Sequence, residues 1–356
     1  VYFSHLHVGR LTVGDGAYVH VQTTSDAVAV SSSSFPEIYL SGTLALDSFG
    51  TTYSRGYDVH VQHDAAELFF GPGSTIDNLS IFGQEHDLQM DVQSSSATVT
   101  HMENLGNLTV KNGAVTVDRD DKADTVAVYG NLTLEKARLN LADGMGQFMA
   151  AGSGFITLEN GSQFNIGSTT QTVFAGNVIS LSHASSITGD SGLLQFADGA
   201  KITYTGYDNA IKTSLNVADT LTIQSAEAAS ELNIRGSLAG AGKVNLLGSG
   251  TVAFSGANAF TGLVNVKQDA TLSLQSALTL ASARVALNKG GTLSLDVGVP
   301  AKLAALTLQD GSILSVSTIV GTDGFSAQEA VLQVGNVNLD SALTLNVHFD
   351  ASLDTM

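Results

Sequence analysis

Apolar and polar residues alternate along this chain in short bursts. Lys243-Val-Asn-Leu-Leu, Thr251-Val-Ala-Phe, Leu263-Val-Asn-Val and Thr271-Leu-Ser-Leu each put apolar side chains on one side of an extended segment, and Gly, Asn, Asp or Ser closes each burst soon after. A period of two marks strands, and the punctuation marks tight turns. No run in this stretch is long enough for a helix. The register recurs: Gly250-Thr-Val-Ala-Phe, Ala270-Thr-Leu-Ser-Leu, Gly291-Thr-Leu-Ser-Leu and Gly311-Ser-Ile-Leu-Ser-Val follow one another at almost constant spacing. A fixed period of about 20 residues is the mark of stacked repeats.

A common element of strand, Asn-Gly or Asp-Gly turn, and second strand occurs at Leu11, Leu108, Ile156, Leu194 and Leu306. Locally it reads as a hairpin. A meander of hairpins has no reason to repeat every ~20 residues, whereas one solenoid coil of short strands and turns needs about that many. The pair Gly106-Asn-Leu-Thr-Val and Gly130-Asn-Leu-Thr-Leu, a similar distance apart, supports the solenoid. The fold expected is therefore all-β, a parallel β-helix over residues 105–349, with about 20–24 residues per coil. Val252, Leu272, Leu293 and Ile313 should form one internal ladder, and Phe254, Leu274, Leu295 and Val316 a second. At ~4.8 Å per coil the chain would make roughly 15 to 17 coils, a rod of about 75 Å.

Residues 1–104 are less regular than the spine expected over 105–356. They hold seven of the nine His, five of the eight Tyr and the run Ser31-Ser-Ser-Ser. Strands remain visible at Tyr18-Val-His-Val, Ala27-Val-Ala-Val, Thr43-Leu-Ala-Leu and Asp58-Val-His-Val, so the coil should continue there with longer loops. Tyr39, Tyr53, Tyr57, Phe69 and Phe70 are candidates for a recognition surface, since aromatic rings supply rigid contact area. The alternative is a cap over the open end of the coil.

Composition narrows the function classes. Leu, Val, Ile and Ala supply a core of small, even layers, with 37 Gly, 3 Pro and no Trp. The formal net charge of −18 makes nucleic acid and anionic membrane poor partners. The absence of Cys excludes disulfides and thiolate metal sites and fits export. No stretch approaches the ~18 apolar residues of a membrane span, so direct membrane insertion by this chain is not expected. The first residues lack a signal-peptide pattern, and the chain is expected to be an excised piece of a longer product.

At residues 236–274 the pattern becomes specific. The run Gly236-Ser-Leu-Ala-Gly-Ala-Gly-Lys-Val, then Gly248-Ser-Gly-Thr-Val-Ala-Phe-Ser-Gly-Ala-Asn, then Phe260-Thr-Gly-Leu-Val-Asn-Val and Ala270-Thr-Leu-Ser-Leu resembles the passenger-associated repeat of bacterial autotransporters. The resemblance implies a right-handed parallel β-helix (β-solenoid) exported across the outer membrane of a Gram-negative bacterium by a C-terminal β-barrel. Such passengers include adhesins, toxins and proteases, so it implies export and virulence-type roles more than an activity.

Chemistry-bearing motifs each have a plainer reading. Gly189-Asp-Ser-Gly matches the nucleophile motif of chymotrypsin-like proteases, with His183 the nearest candidate base, yet it sits where a turn is expected. Asp118-Arg-Asp-Asp-Lys-Ala-Asp, and Glu85-His-Asp with Asp91, could hold calcium or supply paired carboxylates for glycosidic chemistry, or could be solvated loops. His60 and His63 point to opposite sides of an extended segment and make a poor metal pair. No catalytic residue, cofactor or metal site is assigned. The function expected is a non-enzymatic surface or secreted passenger that adheres to host cells, matrix or other bacteria through a protein or glycan, or through self-association. A carbohydrate-active β-helix enzyme and a segment of an oligomerising toxin are the alternatives.

Overall fold

The computed structural model describes residues 2–3, 9–21, 37–46, 52–53, 57–103, 105–118, 125–128, 130–142, 147–150, 154–167, 172–175, 178–189, 191–196, 198–275, 280–296, 301–319, 332–339 and 346–352. The strand expected at 27–30, the serine run at 31–34, His5, His7, Asp120, Asp121 and Asp124 lie outside them. The described residues are all strand and turn, and parallel strands stack as a β-solenoid. Two compact units are present, 1–176 with 185–193, and 177–184 with 194–356.

In the first unit, one face of the coil is built from Thr43–Leu46, Ala66–Phe70, Leu88–Asp91, Leu108–Lys111, Leu132–Glu135 and Phe155–Glu159. Their inward positions form an unbroken ladder, Leu44, Leu68, Met90, Val110, Leu134 and Leu158, each with no more than 1% of its surface exposed. Full burial of each such side chain stabilises by about 1.5–3 kcal/mol, and in a solenoid every layer supplies the floor of the next. A second face runs from Arg10–Val13 through Glu37–Leu40, Tyr57–Val61, Thr75–Phe82, Ser96–Glu103, Ala114–Val117 and Arg138–Leu141 to Gln163–Asn165. A third carries Thr125–Val128, Gln147–Ala150 and Thr172–Ala175.

The second unit repeats the plan. Ile202, Ile223, Leu246, Val266, Leu287 and Leu308 form its first-face ladder. On its second face Leu232, Val252, Leu272 and Leu293 stack, but the next member is Leu314, not Ile313. Ile313 stands opposite Thr292 because Gly311-Ser-Ile has one residue more before its strand core than Gly291-Thr. A one-residue slip moves a side chain to the other side of a strand. The companion ladder Phe254, Leu274, Leu295 and Val316 is in the expected register.

Coil length follows the third face. Thr220 pairs with Lys243 across a coil whose third face is Leu238–Ala239, stacked on Ser214–Asn216 of the coil before. The next coil, from Lys243 to its partner Leu263, is shorter, and the fully buried Phe260 occupies the part between its second-face strand and the following first-face strand, as Leu280 does in the coil after. A single apolar plug does the work of a strand. Coils lengthen toward the ends, where Leu11 pairs with Ile38 and Ala301 with Leu332.

The Asn-Gly and Asp-Gly elements are corners, not hairpins, and they serve different corners. Those at Leu108, Ile156 and Leu306 turn the chain from first to second face, the one at Leu11 from second to first, and the one at Leu194 from third to first. Asn112, Asn160 and Gly199 take left-handed backbone at these bends (φ 59°, 56° and 72°), the region Gly and Asn reach at least cost.

Candidate functional site

Outward positions on the second face are flanked by buried aliphatics: Tyr39 lies between Ile38 and Leu40, and His60 between Val59 and Val61. The parallel register sets Tyr39 opposite His60 and His60 opposite Phe82, so one side chain from each of three successive coils falls in one line. Their rings stack nearly parallel. Tyr39 and His60 have centroids 4.7 Å apart at 16°, and His60 and Phe82 4.9 Å apart at 14°.

The column continues at both ends. The Arg10 guanidinium carbon lies 3.9 Å from the Tyr39 ring centroid, a cation–π contact. His101 meets Phe82 at 5.0 Å but tilted by 38°. The tilt has a cause: the strand Ser96–Glu103 is irregular at Val99, and the slip leaves His101 opposite Ser80, diagonal to Phe82. Carboxylates border the column. The Tyr39 hydroxyl donates to Glu37 Oε2 at 3.4 Å, and His101 Nε2 lies 3.4 Å from Glu103 Oε2. Arg10, Tyr39, His60, Phe82 and His101 thus form a half-exposed ridge. Their flat faces are engaged with one another; the Tyr39 hydroxyl is turned outward, while His101 Nε2 is buried beside Glu103.

The sequence-level candidates separate on this frame. Tyr39 belongs to the ridge. Phe70 is a core residue, 1% exposed, and is withdrawn from any recognition surface because its strand parity aims it inward with Leu68. Phe69, its neighbour, faces outward on the first face opposite Ala45 and Asp91, and Tyr57 is half-buried at the start of its strand. Tyr53 pairs with Ile76, and its side chain lies outside the described residues. The five do not form one surface. Phe82, His101 and Arg10 went unseen in sequence; the usable signal was a large side chain at an outward position beside buried aliphatics.

The acidic residues have structural work. Asp64, Asp87, Asn107 and Asn131 stand in line before successive first-face strands. Asp87 N donates to Asp64 Oδ1 (3.3 Å), Asn107 N and Nδ2 to the two Asp87 oxygens (2.8 Å each), Asn131 N to Asn107 Oδ1 (2.6 Å) and Phe155 N to Asn131 Oδ1 (2.9 Å). His86 Nδ1 lies 2.9 Å from Asp64 Oδ1, and that hydrogen bond holds the Asp64 carboxyl below the usual range. Asp91 accepts from Gln93 and Asn112. Asp64 and Asp87 cap backbone amides of a neighbouring coil, Asp91 takes side-chain amides from its own corner and from the next coil, and the first kind of cap accounts for the Gly106-Asn and Gly130-Asn repeat.

His63 accepts from Ala65 N through Nδ1 in a turn, while His60 is in the ridge, so the two are not brought together. Among the described residues no group of three His, Asp or Glu is placed to hold a metal ion. Gly189 has φ 148° and packs on the Gly167 carbonyl, in the turn after Ser186–Thr188. Asp190 lies outside the described residues, and Ser191 is exposed. His183 occupies a separate left-handed turn (φ 49°) with its ring against Gly206.

No family model, no curated protein and no solved structure matches the chain.

Proposed function

We propose that the chain is an autotransporter-passenger-type scaffold of a Gram-negative bacterium, carried at the cell surface or secreted. It acts without catalysis, by adhesion to host cells, matrix or other bacteria through a protein or glycan partner. The observation that supports this reading is the ridge Arg10–Tyr39–His60–Phe82–His101. Outward positions elsewhere on the second face are filled by Thr98, Thr116, Asn140 and Asn165, which suffice for a solvated strand. Aromatic and Arg side chains are the groups that carry binding energy at protein surfaces. The folded chain should bind epithelial cells or matrix proteins, and Tyr39→Ala with Phe82→Ala should weaken that binding about tenfold. Absence of binding by a folded chain, or binding indifferent to both substitutions, overturns the proposal.

A further inference from the structure

A groove of about 340 Å³ lies at the corner where the first unit's first face turns into its second. Small residues make the room: Gly113 and Ala137 line it together with Ser94 and Gln163. Gly113 cannot be larger without striking the Ser95 carbonyl and Val92. Two cations complete the lining, Lys136 at the bend and Arg138 at the start of the next strand, and both are exposed. Lys136 is held in left-handed backbone at φ 49°, an uncommon conformation for a long side chain. Of the nearby acids, Glu135 pairs with Lys111 at 3.8 Å, and Glu159, whose carbonyl oxygen accepts from Lys136 N at 3.1 Å, forms no ion pair among the described residues. Among the described residues, Lys136 and Arg138 have no carboxylate within ion-pair distance.

Two uncompensated cations on one groove run against the rest of the molecule, where 33 acidic residues face 15 basic ones. The volume sits at the low end of small-ligand sites, ~300–1,000 Å³. The lining offers a planar guanidinium fork, a flexible ammonium, an amide and a hydroxyl, with no apolar pocket to take a hydrophobic side chain. We infer that this groove binds an anionic sugar unit, with Arg138 and Lys136 on its carboxylate and Gln163 and Ser94 on its hydroxyls. The repulsive field of the remaining surface limits anion binding to this place. The site is separate from the aromatic ridge, and its test needs no cell.

Titration calorimetry of the whole chain with trigalacturonate, and with neutral maltotriose, decides the matter. Binding should be confined to the acidic trisaccharide and should fall with added salt. It should weaken at least tenfold in Lys136→Glu and in Arg138→Glu, and also at Ala114, another residue lining the groove, where Ala114→Gln fills the space without changing charge. Lys302→Glu, at an exposed lysine of the second unit, and Tyr39→Ala should leave it unchanged. No binding of trigalacturonate, equal binding of maltotriose, or equal loss in Lys302→Glu overturns the proposal. Loss of cell adhesion in Tyr39→Ala with this titration intact bears on the ridge alone.

Discussion

The two units weight two kinds of corner differently around the same kind of core, although Gly42 and Gly106 of the first also pack on carbonyls of a neighbouring coil and Asp198 and Asn258 of the second also cap backbone amides. In the first, Asp87, Asn107 and Asn131 reach across to backbone amides of a neighbouring coil. In the second, backbone packs directly on backbone: a Cβ at Gly236 would land on the Thr213 carbonyl, at Gly256 on that of Gly236, at Gly242 on that of Asp219, and at Gly262 on that of Gly242. Both kinds of corner span coils of unequal length: the glycine columns cross the coil from Thr220 to Lys243 and then the shorter one from Lys243 to Leu263.

The largest effect should come from the glycine columns. Gly236→Ala should cost about 3 kcal/mol, since the methyl meets fixed backbone and the surrounding coil cannot relax away from it. Gly161→Ala in the first unit is the contrast. That position is open to solvent and strained only by its φ of 80°, so the cost should be about 1 kcal/mol. Urea midpoints of the two variants measure the difference. A Gly236→Ala protein as stable as the parent would remove the steric account of the second unit.

Asn107→Ala probes the other kind of corner. It removes the acceptor for Asn131 N and the donor to Asp87 Oδ2. About 2 kcal/mol should be lost, most of it from the stranded Asn131 amide. Asn131→Ala, which removes a single bond to Phe155 N, should cost about 1 kcal/mol by the same reasoning. Equal losses would mean that the caps do not act bond by bond.

How far these corners could be read in sequence depends on which part is asked for. Residues such as Leu272, Leu293 and Leu295 announce their ladders because the period of two and the coil period agree. Ile313 misled because the Gly-Ser-Ile spelling copies Gly-Thr-Leu while the strand core begins one position later. Val316 on the same strand carried the correction, since an odd offset puts two residues on opposite sides of a strand. The Asn-Gly pairs gave a bend but not a corner, because left-handed backbone is needed wherever the chain turns sharply. The ridge was the hardest to see. Tyr39, His60 and Phe82 recur at nearly even spacing, but Arg10 stands farther out on one side and His101 closer in on the other, since loops of unequal length intervene. Only a strand register brings them together. Lys136 and Arg138 gave no signal as separate residues in an acidic chain.

A smaller effect tests whether the ridge also holds coils together. His60 contacts rings on both sides, so His60→Ala should cost about 1 kcal/mol. A double-mutant cycle of Tyr39→Ala and His60→Ala should show coupling, while Tyr39→Ala and Phe82→Ala, whose rings are separated by His60, should be nearly additive. Coupling of equal size in both cycles would point to a shift of the whole strand stack rather than to ring contact.

The smallest effect lies in pH, and it separates the two kinds of corner without touching the core. The Asp64 carboxyl is held below its ordinary value first by its hydrogen bond with His86 and then by the Asp87 amide. A carboxyl whose pKa is lower in the folded chain contributes stability above the unfolded pKa of about 3.9, and loses that contribution as pH falls through the folded value. The difference in urea midpoint between the parent and Asp64→Asn should therefore be present at about pH 5 and shrink as pH falls below the unfolded value. Asp64 is exposed, which keeps the effect small and sensitive to salt. The difference between parent and Gly236→Ala should stay constant over the same window, since its cause is the contact with the Thr213 carbonyl, which does not titrate. A gap for Asp64→Asn that widened on acidification would have the wrong sign for a carboxylate cap and would assign the first unit's corner at Asp64 to something other than its charge.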